Sequence, residues 1–237
     1  MASSSFLAQL HLPMSWPVRT ALQGGTAKAS RRGPVLNFLA LAFGDRLARP
    51  VRVKIAIQIS MPIFASVFLA LDEAGVPYLV IGGHAVVLHG HLRNTFDLDL
   101  LIPDSKLAIA RAALINLGYR TYFETDAFLQ LQAPENLPPL DLMIVDDQTF
   151  GRIQVTADPK VLDDRQIQIP DVLRLIALKL HATRDPARRT TETDWQDIAG
   201  LLRAANRSLE DPELQTIISQ YGGSRAFAEI KRRVSES

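Results

Sequence analysis

Asp97 and Asp99 stand one residue apart in FDLDLLIP, a stretch otherwise built almost wholly of apolar residues. If residues 96–102 form a strand, alternation puts both carboxylates on one face and Phe96, Leu98 and Leu100 on the other. Alternation alone would also produce an ordinary half-buried strand with one wet face. Three neighbours shift the balance toward chemistry. Gly82 and Gly83 fall between an apolar strand and a short helix, where glycine permits a tight turn and close approach of a ligand, and where helix N–H groups can meet a phosphate. Arg93 and Thr95 come just before the aspartates, where a guanidinium can hold phosphate oxygens or pin a carboxylate. Asp141 lies at the start of a second apolar strand, LDLMIV, and a carboxylate there is costly unless something satisfies it. Two carboxylates on one strand and a third on a neighbour form a hard-oxygen set that suits Mg²⁺ or Mn²⁺ far better than zinc. Such ions serve phosphoryl and nucleotidyl transfer by bridging triphosphate oxygens and activating an attacking hydroxyl.

Other patterns fit less well. The glycines lack the third member and the spacing of a dinucleotide fingerprint. His84, His89 and His91 invite a zinc reading, but 84 and 89 are five apart on a helix and share no face well. Asp146-Asp147 reads as a turn after the second strand. Arg184, Arg188 and Arg189 form a basic loop, either a solvated linker or, beside a cleft, a holder of RNA phosphates.

The elements that must carry these residues can be placed from periodicity and punctuation. A helix over 64–74 ends at Gly75, and 78–81 is a short strand before the glycines and a helix at 85–89. Strand 96–102 closes at Pro103, Ser105 caps a helix running to Leu117, and 119–124, 128–132 and 140–145 read as strands. Residues 153–156 and 166–169 are weaker strand candidates. Beyond Pro170 the pattern turns helical, at 172–182, 194–205, 212–220 and 224–234. The fold class is therefore α+β: a mixed sheet flanked by helices at 61–170, followed by a helical C-terminal lobe at 171–237.

The chain has 237 residues and a net charge of only +1. Residues 1–60 hold eight Lys/Arg against the single acid Asp45, leaving 18 basic and 24 acidic groups in the remainder. A tRNA acceptor would call for a basic surface near a cleft, and the acidic balance of that remainder weighs against it. The first sixty residues read as a basic extension: a mis-assigned stretch if the native start is Met61, a disordered arm, or, from Arg31-Arg32 ahead of an apolar run, an export-like segment. There is no cysteine, so disulfides, thiolate metal sites and cysteine nucleophiles are excluded, and a cytoplasmic location is expected. No apolar run approaches the roughly 18 residues that span a bilayer.

Gly82-Gly83 followed by Arg93-x-Thr95-x-Asp97-x-Asp99 resembles the signature of the polymerase-β-like nucleotidyltransferase superfamily. The wording is most similar to that of the bacterial AbiEii/AbiGii-type nucleotidyltransferase toxins and their relatives. Pro170, Leu173 and Lys179 in IPDVLRLIALKLHA, and Asp194 to Asp197 in TETDWQDIAGLL, extend the likeness, which runs from about Tyr78 to Leu202. The resemblance implies that Asp97, Asp99 and Asp141 bind metal and serve catalysis, with Asp141 helping to deprotonate the acceptor. It also implies that Gly82, Gly83, Arg93, Thr95 and Lys179 bear on the nucleotide, with Asp194 supporting the site. Thr193 departs from the basic residue that often precedes that aspartate. The implied function is Mg²⁺-dependent transfer of a nucleoside monophosphate from an NTP to the hydroxyl of a tRNA end, a protein or a small molecule, in a toxin–antitoxin setting with a cognate antitoxin. The alternative is a catalytically inactive nucleotidyltransferase fold used as an antitoxin or nucleotide sensor.

Overall fold

Strands β2 (Leu98–Pro103) and β5 (Leu140–Val145) lie side by side and parallel, paired from Leu98↔Leu140 to Pro103↔Val145. The structure, a computed structural model, describes residues 63–184 and 191–235, all of which belong to one compact unit. Both strands are buried on two sides, as parallel strands are. Leu98, Leu100, Ile102, Leu140, Leu142 and Ile144 pack into the main core with Val67, Phe68 and Leu71 of α1 (Ala65–Glu73) and Ala110 and Leu114 of α3 (Leu107–Asn116). Leu101, Met143 and Val145 face the other way, against Phe150 and Ile153 of α4 (Asp147–Val155). Asp99 and Asp141 share the parity, and so the face, of this second set.

The sheet is completed by β1 (Leu79–Val80), antiparallel to β2, and by the hairpin β3 (Arg120–Thr125) and β4 (Phe128–Gln132). Its order is β1-β2-β5-β4-β3, so β5 sits in the middle. A separate hairpin pairs β6 (Asp158–Leu162) with β7 (Arg165–Ile169). Between β1 and β2 lies α2 (Gly82–Leu88). Helices α5 (Val172–Thr183), α6 (Thr191–Ala204), α7 (Pro212–Tyr221) and α8 (Ala226–Ser235) follow, with α5 packed on α6 and α7, and α8 on both of these. Aspartates start three helices: Asp146, Asp171 and Asp211 accept from Thr149, Arg174 and Glu213 backbone N–H at 2.8, 2.9 and 2.9 Å. No helix among the described residues is long and apolar enough to cross a membrane.

The architecture is the expected α+β one, with local corrections. Residues 153–156, expected as strand, belong to the end of α4 and its cap, because Asp146 is an N-cap rather than a turn residue. Strand β6 was not expected; Pro159 is tolerated there because a two-stranded ribbon is all edge. Phe96, expected to point inward, is 80% exposed. The cause is local: the Leu98 N–H is the first into the ladder, at 2.9 Å from the Pro139 carbonyl, so strand alternation does not reach back to residue 96. The first sixty residues, Met61, Arg188 and Arg189 lie outside the described residues.

Candidate functional site

The β2–β5 register sets Asp99 directly beside Asp141, each half-buried. Two carboxylates on adjacent strands repel unless cations or donors intervene. Part of the compensation is visible: the Gln130 side-chain amide, opposite Asp141 on β4, donates to both Asp141 oxygens at 3.1 and 3.3 Å. Asp97 stands just before β2, in the bend that leads into it, and is exposed. The three carboxylates thus form an adjacent pair plus a flanking member, rather than one strand face carrying two.

Gly82 meets this pair from the side. It begins α2 with φ +60°, and a methyl group there would collide with the Asp99 carboxylate, whose Cβ lies 2.7 Å from the added carbon. The Ile81 N–H donates to the Asp99 carbonyl at 2.9 Å, locking backbone to backbone at the same point. Glycine is therefore demanded twice, by conformation and by space. We expect Gly82→Ala to cost about 2–3 kcal/mol of stability, measured in urea melts. Gly75→Ala, at φ +64° with open space around it, reports the conformational part alone and is expected to cost less than half as much. Equal losses would show that the Asp99 contact contributes nothing.

Gly83 meets a different pair. A Cβ there would collide with Thr95, whose own Cβ lies 2.7 Å away, and would stand 2.8 Å from Nη2 of Arg93. Gly82, Gly83, Arg93, Thr95, Asp97, Asp99 and Asp141 are thus brought to one neighbourhood. Lys179 and Asp194 lie one layer behind: they form a buried ion pair at 2.9 Å between α5 and α6, and Lys179 also pairs with Asp197 at 2.7 Å. Asp197 in turn receives Arg93, with Nε 2.8 Å from Oδ1 and Nη2 3.2 Å from Oδ2. Lys179 is therefore buried, and it neutralises two buried carboxylates.

Two contributors had no role assigned from sequence. Asp197 was named only as the end of the Asp194-to-Asp197 pattern, three residues on and on the same helix face. Gln130 left no trace, because its service to Asp141 depends on strand pairing. The histidines go to separate neighbours. His84 sits edge-on to the Phe64 ring at 4.7 Å, His89 Nε2 is 2.8 Å from the Pro170 carbonyl, and the His91 ring lies against Gly200. Burial pushes the His84 imidazole below its ordinary pKa, opposed by the carboxylates of Asp163 and Asp97. His84 is therefore neutral near pH 7.

Asp97, Asp99 and Asp141 offer only carboxylate oxygens, the donor chemistry of a hard divalent cation. Among the described residues no three histidine, aspartate or glutamate side chains are drawn into a closed cluster that could hold a metal. The donor set fits Mg²⁺ or Mn²⁺ in type, and the strand register sets Asp99 and Asp141 side by side.

No protein-family model and no curated protein matches the chain by sequence. Solved structures do match by fold. The antibiotic-resistance factor ANT(2'')-Ia in solution is 17% identical, with a TM-score of 0.53 over 74% of this chain and 96% of that one. The crystal structure of ANT(2'')-Ia in complex with adenylyl-2''-tobramycin is 16% identical, with a TM-score of 0.50 over 72% and 95%. An antigenic nucleotidyltransferase-like protein from Paracoccidioides brasiliensis is 18% identical, with a TM-score of 0.45 over 73% and 94%. The fold of this chain is that of the nucleotidyltransferases.

Proposed function

We propose that the chain is a divalent-cation-dependent nucleotidyltransferase that moves a nucleoside monophosphate from an NTP to an acceptor hydroxyl. The observation that carries this reading is the in-register pair Asp99 and Asp141 with the backbone of Gly82 pressed against it. A bound Mg²⁺ or Mn²⁺ would supply charge neutralisation of the triphosphate and acidification of the attacking hydroxyl. Asp97, Asp99 and Asp141 would hold that ion. The Asp141 carboxylate, which accepts from the Gln130 amide, would take the proton of the acceptor hydroxyl as its oxygen bonds to the α-phosphorus. The bond to the β-phosphate bridging oxygen breaks, and pyrophosphate leaves with the electron pair. Arg93 and Thr95 line the approach beside Gly83, where a guanidinium and a hydroxyl donate to phosphate oxygens. Lys179 and Asp194 act from behind by fixing Arg93 through Asp197.

Charge bears on the choice of acceptor. The acidic balance of residues 61–237 favours a cationic small molecule, such as an aminoglycoside, over a tRNA end. A role as an AbiEii/AbiGii-like toxin with a protein or tRNA acceptor and a cognate antitoxin belongs to the same chemistry. The open arrangement of the three carboxylates favours one second reading, a nucleotide-binding module of the same fold without transfer. The test is incubation with each α-labelled NTP and Mg²⁺ in the presence of total RNA, lysate protein or an aminoglycoside panel. We expect label to pass to one acceptor class, and to be lost on chelation or in Asp97→Ala. Nucleotide binding without transfer in any arm would select the binding module; neither binding nor transfer would end both readings.

A further inference from the structure

The segment that leads into the carboxylates lies along one helix. Gly90 stands over Ala204, with 3.5 Å between an added Cβ and the alanine methyl. The His91 ring lies against Gly200, where any side chain would collide with it. Arg93 reaches Asp197 through Nε and Nη2 at 2.8 and 3.2 Å. Positions 204, 200 and 197 follow each other at helical spacing on a single face of α6. The segment is held on its other side too, with Gly90 and His91 N–H donating to the Val87 and Val86 carbonyls at 2.9 and 3.2 Å. Helix α6 therefore acts as a ruler for the residues that end in Thr95 and Asp97.

Asp197 is the charged mark on that ruler. Its side chain is 0% exposed, whereas that of Arg93 is 24% exposed. The Nε–Nη2 edge of the guanidinium is thus held on a buried carboxylate, and Nη2 at the same time lies beside Gly83, next to Thr95. A third contact, Arg93 Nη1 to the Asn94 carbonyl at 2.8 Å, fixes the plane. Lys179, 2.7 Å from Asp197, sets a second cation against the buried carboxylate.

We infer that Asp197 is a positioning residue for nucleotide binding: it touches no ligand, and it holds the Arg93 guanidinium where the triphosphate of an NTP arrives. The inference rests on the proposed function of the site. Its physical basis is preorganisation. A free arginine loses much rotamer freedom when a phosphate orders it, and a guanidinium already clamped by a carboxylate does not.

The test is calorimetric titration of the full chain with the Mg²⁺ complexes of non-transferable α,β-methylene ATP, GTP, CTP and UTP. Asp197→Asn and Arg93→Gln are each expected to weaken the preferred nucleotide about tenfold, and the double variant no more than Arg93→Gln alone. Losses that multiply in the double variant, or wild-type affinity in Asp197→Asn, would overturn the inference. Should Asp197→Asn not fold, Asp197→Glu keeps the charge at a shifted reach; it is expected to weaken binding only when Arg93 is present, and any other pattern counts against the inference. Glu192→Gln breaks the ion pair that ties the start of α6 to Arg233 of α8, and is expected to bind as wild type. Weakening there equal to that of Asp197→Asn would assign the effect to general docking of α6 and overturn the inference while leaving the site reading intact. No binding of any nucleotide by the folded wild type would overturn both.

Discussion

Asp99→Asn is expected to lower transfer about a thousandfold, at the upper end of what losing one preorganised electrostatic group costs, while leaving the fold as stable as before or slightly more so. The two halves of this expectation have separate causes. Transfer falls because the asparagine amide offers a cation one neutral oxygen in place of a charged pair, in the position closest to Asp141. Stability holds because Asp99 faces another carboxylate across a parallel pair, and removing one of two adjacent like charges relieves about 0.2–1 kcal/mol of repulsion. The shape of the side chain is unchanged, so the Gly82 backbone keeps its neighbour. Single-turnover transfer and urea unfolding on the same preparation check both halves. Parallel loss of activity and stability would mean that Asp99 serves the fold and that the site lies elsewhere.

Lys179→Met should be the most destabilising single change on the α5–α6 interface. The side chains of Lys179, Asp194 and Asp197 are 8%, 2% and 0% exposed, so water does little to screen them. Two cations, Lys179 and Arg93, balance two carboxylates there. Methionine fills the space of the lysine stem but leaves two buried anions facing one guanidinium, at a cost of about 3–5 kcal/mol. That is a large part of the 5–15 kcal/mol, roughly, on which a domain stands. Adding Asp194→Asn restores the balance and is expected to recover more than half the loss. The double variant also separates two roles for Lys179. If it is stable and still transfers, the lysine acts by holding Asp197 and hence Arg93; if it is stable and inert, the lysine meets the nucleotide directly.

Much of this was readable in the residues. The β2 and β5 strands, the β3–β4 hairpin and the four late helices carry local signals of alternation, helical period, Gly and Pro. Asp141 was expected on a strand neighbouring that of Asp97 and Asp99, and the register supplied which of the two it adjoins. What stayed hidden depended on partners distant in sequence or on ambiguous chemistry. Asp146 is a helix cap, yet an aspartate at a turn looks the same from sequence alone. Phe96 sits outside the ladder, which only the Leu98 hydrogen bond reveals. Lys179 lies in an apolar helix whose sequence gives no sign of the two carboxylates that α6 supplies to it. Asp197 and Gln130 took their roles from elements packed against them.

The central place of β5 has a consequence in time. It is the last of the five sheet strands to leave the ribosome, yet both its neighbours, β2 and β4, are made before it. The β3–β4 hairpin closes a short loop, whereas β2 must wait for a partner some forty residues on, a slow kind of closure. Asp99 and Asp141 cannot meet until that insertion is complete. A chain whose β5 has been made but not yet inserted would thus carry Asp97, Asp99 and Asp141 while lacking the side-by-side pair on which the proposed transfer depends.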